Sequence, residues 1–181
     1  MCRRNANKIL KLQPKTKEDK KLIQINYLKE LGEEYQKLKE YQKVAEIHKK
    51  VANLYLQLNK QEYKKDCEFY KTWSKQDKAW QKVKERKLKE AAKIFEQNVS
   101  EFKKLQKQYN LKRTKTDALQ SEAYYHFFNS AITHKRAELL KAIILSAKAY
   151  VLGDSHQKIA AKHFILKSAY FIYNFQRLSM G

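Results

Sequence analysis

The residues in this chain best suited to bind metals or to react are five histidines and two cysteines. The histidines are His48, His126, His134, His156 and His163. No three of them have the spacing that would bring them to one metal ion. The cysteines, Cys2 and Cys67, give neither a disulfide framework nor a pair of metal ligands, which is typical of a reducing compartment. The sequence therefore predicts no metal site and no cofactor, with Cys67 as a small core residue.

Motifs for catalysis give no better support for an enzyme. The run Asp154-Ser155-His156 contains the residue types of a hydrolytic triad. Neighbours in sequence at a helix start rarely adopt triad geometry, so a capping role is favoured. The three glycines, Gly32, Gly153 and Gly181, are too far apart to form a phosphate-binding loop. We therefore expect a protein without enzymatic activity.

Scarce glycine and proline indicate that helices position these side chains. The chain of 181 residues has three glycines and one proline, and neither type occurs between Gly32 and Gly153. A β-rich fold would need turn glycines across that interval, so an all-α fold is expected. A hydrophobic fraction of 43% predicts a folded chain, although 33% of the residues are charged.

The spacing of apolar residues predicts about seven helices in antiparallel hairpins. Five are expected over about residues 17–38, 41–58, 118–133, 135–152 and 156–178, and a continuous apolar stripe runs from Leu88 to Tyr109. Residues 61–109 form either one long helix or two, with a candidate break at the capping-box pattern Ser74-Lys75-Gln76-Asp77. The apolar face expected over 135–152 comprises Leu139, Leu140, Ile143, Ala147 and Tyr150.

Polar residues and one glycine mark the expected helix ends. The run Thr16-Lys17-Glu18-Asp19 is typical of a capping box at a helix start. Asn59 is expected to end a helix, because asparagine adopts the left-handed conformation more readily than other residues that carry a side chain. Thr116 or Asp117 is expected to cap a helix after a loop. Gly153 is expected to supply the backbone angle of a C-cap.

A pattern of paired helices repeats along the chain. Residues 40–49 resemble residues 87–96 in character, at an offset of 47 residues. Three hairpins with a period in the forties are typical of a solenoid, in which no unit buries its apolar face alone. We expect a basic flexible arm over residues 1–15 and a single helical-repeat domain over residues 16–181.

The first hairpin resembles a tetratricopeptide repeat. The residues at that family's positions are Leu31-Gly32, Tyr35, Leu38, Tyr41, Val44 and Lys49-Lys50-Val51. The similarity covers residues 28–59 and, less specifically, residues 136–172. The terminal proline of the repeat is absent, and the period exceeds the family's usual 34 residues. The resemblance implies a long-period, right-handed superhelix with a protein-binding groove and a scaffold or adaptor role.

Aromatic residues at helical spacing are the candidate contacts for a bound protein. The resemblance implies a concave groove lined by the first helix of each hairpin. We expect an acidic or helical segment of another protein to bind there. The candidate anchors are Tyr35, Tyr63, Tyr70 and Trp73. The alternative interpretation is that these rings fill the core.

A net charge of +21 favours an acidic partner. Residues 1–115 contain 32 of the 40 basic residues. The candidate basic patch comprises Lys82, Lys84, Arg86, Lys87, Lys103, Lys104, Lys112 and Arg113. Because lysines neutralise phosphates and aromatic rings stack on unpaired bases, RNA binding or ribosome association is the alternative function. The remaining interpretation is that the lysines only solvate helix faces.

The last predicted helix is apolar nearly all round, whereas a solenoid usually ends in a polar capping face. The candidates for an interface with another copy or another protein are Phe164, Phe171, Ile172 and Phe175. No apolar run is long enough to span a bilayer, and no secretory signal is evident. We expect an intracellular, cytoplasmic protein. A mitochondrial location is the alternative, because the first 17 residues are basic and lack acidic residues.

Overall fold

A computed structural model of the chain describes residues 13–110 and 112–178. Seven α-helices and no strand occur within those residues, so the all-α prediction is confirmed. The helices are α1 (Lys17–Lys37), α2 (Tyr41–Leu58), α3 (Gln61–Lys84), α4 (Leu88–Tyr109), α5 (Lys112–Thr133), α6 (Arg136–Leu152) and α7 (Ser155–Leu178). Residues 1–12 of the expected basic arm lie outside the described residues.

The chain divides into two compact units between Gln81 and Lys82. The first unit holds α1, α2 and most of α3, and the second holds the end of α3 and α4 to α7. Neighbouring helices in sequence pack on each other: α1 on α2, α4 on α5, α5 on α6, and α6 on α7. Connections of two or three residues make these neighbours antiparallel. The interpretation of residues 16–181 as one domain stays a prediction.

Each unit has its own apolar core. The core of the first unit comprises Ile25, Ile47, Val51, Ala52, Tyr55 and Cys67. Cys67 is buried there, as the sequence predicted. In the second unit, Phe95 stacks on Phe128, with 5.7 Å between ring centroids, and it contacts Tyr124 edge to face.

The turns that follow α1, α3 and α5 each have a residue with left-handed backbone. These residues are Lys39, Arg86 and His134, with φ of 57°, 61° and 56°. They are 47 and 48 residues apart in sequence. Each of the first two turns also contains a backbone hydrogen bond of 2.9 Å. In the first turn the amide of Glu40 donates to the carbonyl of Tyr35, and in the second the amide of Lys87 donates to the carbonyl of Lys82. The predicted period in the forties is therefore present in the turns.

Two of the predicted helix ends are confirmed. The hydroxyl of Thr16 accepts a hydrogen bond from the amide of Asp19, and the Asp19 carboxylate accepts one from the amide of Thr16. Asn59 ends α2 with φ of 49°, in the left-handed conformation. Asn110 ends α4 with the same φ. Asparagine adopts this conformation at a low energetic cost, which explains its place at both ends.

The candidate break at Ser74 is absent, because α3 continues to Lys84. Ser74 is buried in the middle of that helix, and its hydroxyl donates to the carbonyl of Ala45 at 2.8 Å. The break comes instead at residues 85–87, so residues 61–109 form two helices. A side chain that bonds to another helix has the same local sequence pattern as one that caps its own.

The loop predicted before Thr116 and Asp117 is wrong. Helix α5 begins at Lys112, and both residues are fully buried inside it. The Asp117 carboxylate accepts a hydrogen bond of 2.8 Å from the side-chain amide of Gln157 on α7. Because these polar side chains face a neighbouring helix, the stretch has the composition of a loop without being one.

Gly153 follows α6 for a reason other than the predicted one. Its φ is −76°, so the left-handed angle expected of a C-cap is absent. A Cβ on Gly153 would lie 2.8 Å from the Cβ of Gln157 and 2.9 Å from the carbonyl oxygen of Ala149. Glycine is required because α7 starts too close for any side chain. Asp154 caps that start, since its carboxylate accepts from the amide of Gln157 at 2.9 Å.

Candidate protein-interaction surfaces

Helices α2 and α3 bring three of the four candidate anchors into one aromatic cluster, formed by Tyr55, His48, Tyr63, Tyr70 and Trp73. The Tyr55 ring lies 5.6 Å from that of Tyr63 and 6.0 Å from that of Tyr70, between centroids. The His48 ring lies 5.5 Å from Tyr70 and 6.1 Å from Trp73. Positions 63, 70 and 73 share a helix face, which is why α3 presents them together.

A lysine of α1 joins this aromatic cluster. The Lys29 ammonium donates a hydrogen bond of 2.7 Å to the Tyr55 hydroxyl. It also lies 5.2 Å from the ring centroids of both Tyr55 and Tyr70, within range of a cation–π interaction. Burial, followed by the charge of Asp66, raises the pKa of Tyr55 from its ordinary value of 10.0 to about 12.

The fourth candidate anchor, Tyr35, is on α1. The Lys43 ammonium lies 5.0 Å from the centroid of its ring. Tyr35, Tyr63 and Tyr70 are partly buried against the core of the first unit, and Trp73 is half-buried. These side chains therefore contribute to the core while each leaves part of its surface exposed. Their role as anchors stays a prediction.

A buried His–Asp pair lies beside the aromatic cluster. The His48 Nδ1 is 2.6 Å from the Asp77 carboxylate, whose residue is 1% exposed. Burial raises the pKa of Asp77, and the hydrogen bond from His48 opposes that effect. The two residues are 29 positions apart. No local pattern in the sequence connects them, and only the packing of α2 on α3 brings them together.

Ion pairs occupy part of the candidate basic patch. Lys82 lies 3.0 Å from Glu90, Lys87 lies 3.2 Å from Glu85, and these distances join ammonium nitrogens to carboxylate oxygens. On α4, Lys103 lies 3.1 Å from a carboxylate of α5. The exposed members of the patch are Lys84, Arg86, Lys87, Lys103, Lys104 and Arg113. The side chain of Lys112 lies outside the described residues.

An open cleft of about 460 Å³ lies between the start of α4 and the end of α5. Its lining mixes charged and apolar groups: Arg86, Lys87, Leu88, Lys89, Glu90, Ala131 and Ile132. The cleft brings Arg86 and Lys87 of the predicted patch next to apolar side chains. Its charged lining consists of three basic residues and one acidic residue.

The four candidates on α7 are in different environments. Phe164 is buried, with its ring centroid 4.6 Å from Tyr124 and 4.8 Å from Phe127. Phe171 packs against Phe127 at 5.3 Å and remains 44% exposed. Ile172 is half-buried, and the side chain of Phe175 lies outside the described residues. The opposite face of α7 exposes Ile159, Leu166, Tyr170 and Tyr173.

Helix α6 also exposes large apolar side chains, which the sequence analysis missed. Leu140 is 52% exposed, Ile144 54% and Val151 74%, while Leu139 and Ala142 are buried. The predicted apolar face of α6 is therefore only partly buried. Leu140, Ala147 and Tyr150, which were assigned to it, face solvent. Every turn of this helix carries apolar residues on two sides, so spacing alone could not separate the buried side from the exposed one.

Within the described residues, no helix has the length and apolar character needed to cross a bilayer. Across the same part of the chain, no group of three or more histidine, cysteine, aspartate or glutamate side chains is arranged to hold a metal ion. No known protein family, curated protein or solved structure matches this chain.

Proposed function

We propose that this chain is a helical-repeat scaffold or adaptor, without catalytic activity, that binds another protein within a larger assembly. The observation that carries the proposal is the row of large apolar side chains exposed along α6 and α7. Soluble proteins that act alone rarely expose apolar rows of this kind, and such surfaces are typical of binding sites.

The repeated turn geometry supports a tetratricopeptide-like arrangement. Left-handed residues at Lys39, Arg86 and His134 recur at a nearly constant period, in the turns after α1, α3 and α5. In repeat proteins, stacked hairpins form an extended binding surface that needs no catalytic groups. On this proposal, a partner protein binds the first unit through the exposed parts of four aromatic side chains: Tyr35, Tyr63, Tyr70 and Trp73.

Affinity purification from the source cells, with and without nuclease treatment, tests the proposal. We expect the tagged full chain to capture the same specific proteins under both conditions. Capture that disappears entirely after nuclease treatment would contradict the scaffold role.

A double alanine substitution tests the aromatic anchors. We expect Tyr70→Ala with Trp73→Ala to reduce partner capture, provided that circular dichroism shows the helical content of the wild type. Tyr109→Ala, a half-buried aromatic residue of the second unit, is the matched control. Unchanged capture by the double variant would remove these two side chains from the binding site.

RNA binding is the second candidate function, because the net charge is +21 and Lys84, Arg86 and Lys104 are exposed. The ion pairs of Lys82, Lys87 and Lys103 leave fewer uncompensated cations in the patch than the sequence implied. Filter binding of single-stranded RNA at increasing salt tests this function. Tight binding with a steep negative salt slope favours it, and absence of binding at low salt eliminates it.

A further inference from the structure

The exposed apolar residues of α6 have the spacing of a helix-pairing seam. We define the α6 seam as Leu140, Ile144, Ala147 and Val151, all of which are exposed. Their separations of four, three and four residues are those of alternating d and a positions in a heptad repeat. In coiled coils, residues at these positions insert between the side chains of a facing helix.

The buried side of α6 is occupied by the second unit's own core. Leu139, Ala142, Ser146 and Ala149 are buried, and α6 packs on both α5 and α7. The seam lies on a different side of the helix, so it takes no part in that core. Helix α6 therefore combines a complete set of internal contacts with a second apolar row available for another helix.

The charges beside the seam select its partner. In heptad numbering, Lys141 and Lys148 occupy both e positions, next to the d residues Leu140 and Ala147. Lys141 also pairs with Glu138 within its own helix, at 3.2 Å. Glu138 is the one acidic residue of α6, and the whole chain carries a net charge of +21. A facing helix with acidic flanking residues would therefore be attracted, and a basic one repelled.

A second copy of this chain is a poor fit to the seam. In an antiparallel pair, e positions face e positions, so Lys141 and Lys148 would oppose the same lysines of the other copy. The net charge of each copy adds a further repulsion at a distance. A lipid surface is also a poorer fit, because one narrow heptad row suits a helix and a bilayer favours a broad apolar face.

We propose that the α6 seam docks an amphipathic helix of another protein, with apolar residues at its a and d positions and glutamate or aspartate beside them. This inference rests on the proposed scaffold function, because it names the chemistry of one partner surface. Ile144 and Val151, at the a positions, are the main contacts, and Lys148 is the charge that selects the acidic flank.

A designed peptide pair provides the direct test. One labelled 21-residue helix carries leucine at a and d and glutamate at e and g, and its twin carries lysine in place of glutamate. We expect the full chain to bind the glutamate peptide in fluorescence anisotropy and to bind the lysine peptide at least about tenfold more weakly. Absence of glutamate-peptide binding up to about 100 µM overturns the inference.

Three variants locate the binding on the seam. We expect Ile144→Glu and Val151→Glu each to weaken binding by at least about tenfold, because each places a carboxylate where an apolar contact forms. Lys148→Glu should shift the preference toward the lysine peptide. Leu56→Glu, an equally exposed leucine of α2, is the matched control and should leave binding unchanged. Equal losses from Leu56→Glu and Ile144→Glu overturn the assignment to α6.

Other occupants of the seam would give different results. Cosedimentation with phosphatidylserine vesicles that depends on Ile144, without peptide binding, assigns the seam to a membrane surface and overturns the inference. Self-association in sedimentation velocity that Val151→Glu abolishes assigns it to a second copy, with the same consequence. If Ile144→Glu leaves capture of cellular proteins intact, the seam inference fails while the scaffold function stands.

Discussion

Glu138 shows how one carboxylate connects two helices of the second unit. It lies in the first turn of α6, and its carboxylate accepts a hydrogen bond from His126 Nδ1 at 2.7 Å and from the side-chain amide of Asn129 at 3.2 Å. The hydrogen bond from His126 is the largest cause that lowers the pKa of Glu138 to about 2, with burial opposing it. The side chain is 13% exposed, so little solvent weakens this interaction.

The lowered pKa of Glu138 predicts that the protein loses stability in acid. The ordinary pKa is 4.5, so the ionised carboxylate stabilises the fold above that pH, and the contribution is lost as the pH falls from 4.5 toward 2. We expect Glu138→Gln to lose about 1–3 kcal/mol of unfolding free energy at pH 6. Urea unfolding at pH 6 and pH 3 measures the difference, which should shrink at the lower pH.

The control for that experiment is Glu96→Gln, an exposed carboxylate of the same unit. It should change the unfolding free energy by less than about 0.5 kcal/mol at either pH. A Glu138→Gln variant with the same loss at both pH values would show that charge on Glu138 does not contribute.

The two described glycines predict opposite effects of the same substitution. Gly153→Ala places a methyl group 2.8 Å from Gln157 Cβ, so we expect a loss of about 1–3 kcal/mol. At Gly32, inside α1, the new Cβ would meet Ile47 at 3.4 Å, an ordinary contact. Gly32→Ala should therefore preserve or raise stability by up to about 1 kcal/mol. Thermal melts of the two variants compare them, and equal losses would contradict this account.

At the scale of the element, helix ends are set by backbone conformation. Asn59→Ala forces alanine into a left-handed conformation at the end of α2, so we expect a loss of about 1 kcal/mol. Asn59→Gly should leave stability close to that of the wild type. Asn53→Ala, at an exposed site inside the same helix, is the control and should be neutral or slightly stabilising. Urea midpoints measure all three, and a neutral Asn59→Ala would contradict the prediction.

The elements themselves could be predicted from sequence wherever apolar spacing and end signals agreed. Helix α2 has the predicted bounds, and α1, α6 and α7 differ from prediction by one residue. Prediction failed where a polar side chain serves a neighbouring helix. Ser74 and Asp117 have the residue types of caps, yet their hydrogen bonds go to Ala45 and Gln157. Such pairing depends on tertiary packing, which a local pattern does not contain.

The candidate surfaces were less predictable than the helices. Composition identified aromatic anchors and a basic patch, and the structure gathers Tyr63, Tyr70 and Trp73 into one cluster. Lys82 is paired with Glu90 of the next helix and Lys87 with Glu85 of the same turn, so net charge alone overstated the number of cations without a nearby carboxylate. Exposure of Ile144 and Val151 depends on which side of α6 the neighbouring helices cover, and sequence spacing does not specify that side.

At the scale of the whole molecule, the net charge of +21 opposes compactness through self-repulsion. Salt shortens the range of that repulsion, from about 20 Å at 20 mM to about 4 Å at 500 mM. We expect the melting temperature to rise as sodium chloride increases over this range. Circular dichroism melts measure it, and a constant or falling melting temperature would show that local ion pairs outweigh the overall repulsion.

The left-handed turns at Lys39, Arg86 and His134 bear on how such a chain could have grown. None of the three is a glycine, and their side chains differ in shape and charge, so no single residue type specifies the bend. A duplicated segment would inherit its bend at once and could diverge freely at its surface. After such duplications, the regular spacing of the turns would persist even where the copies no longer had similar sequences.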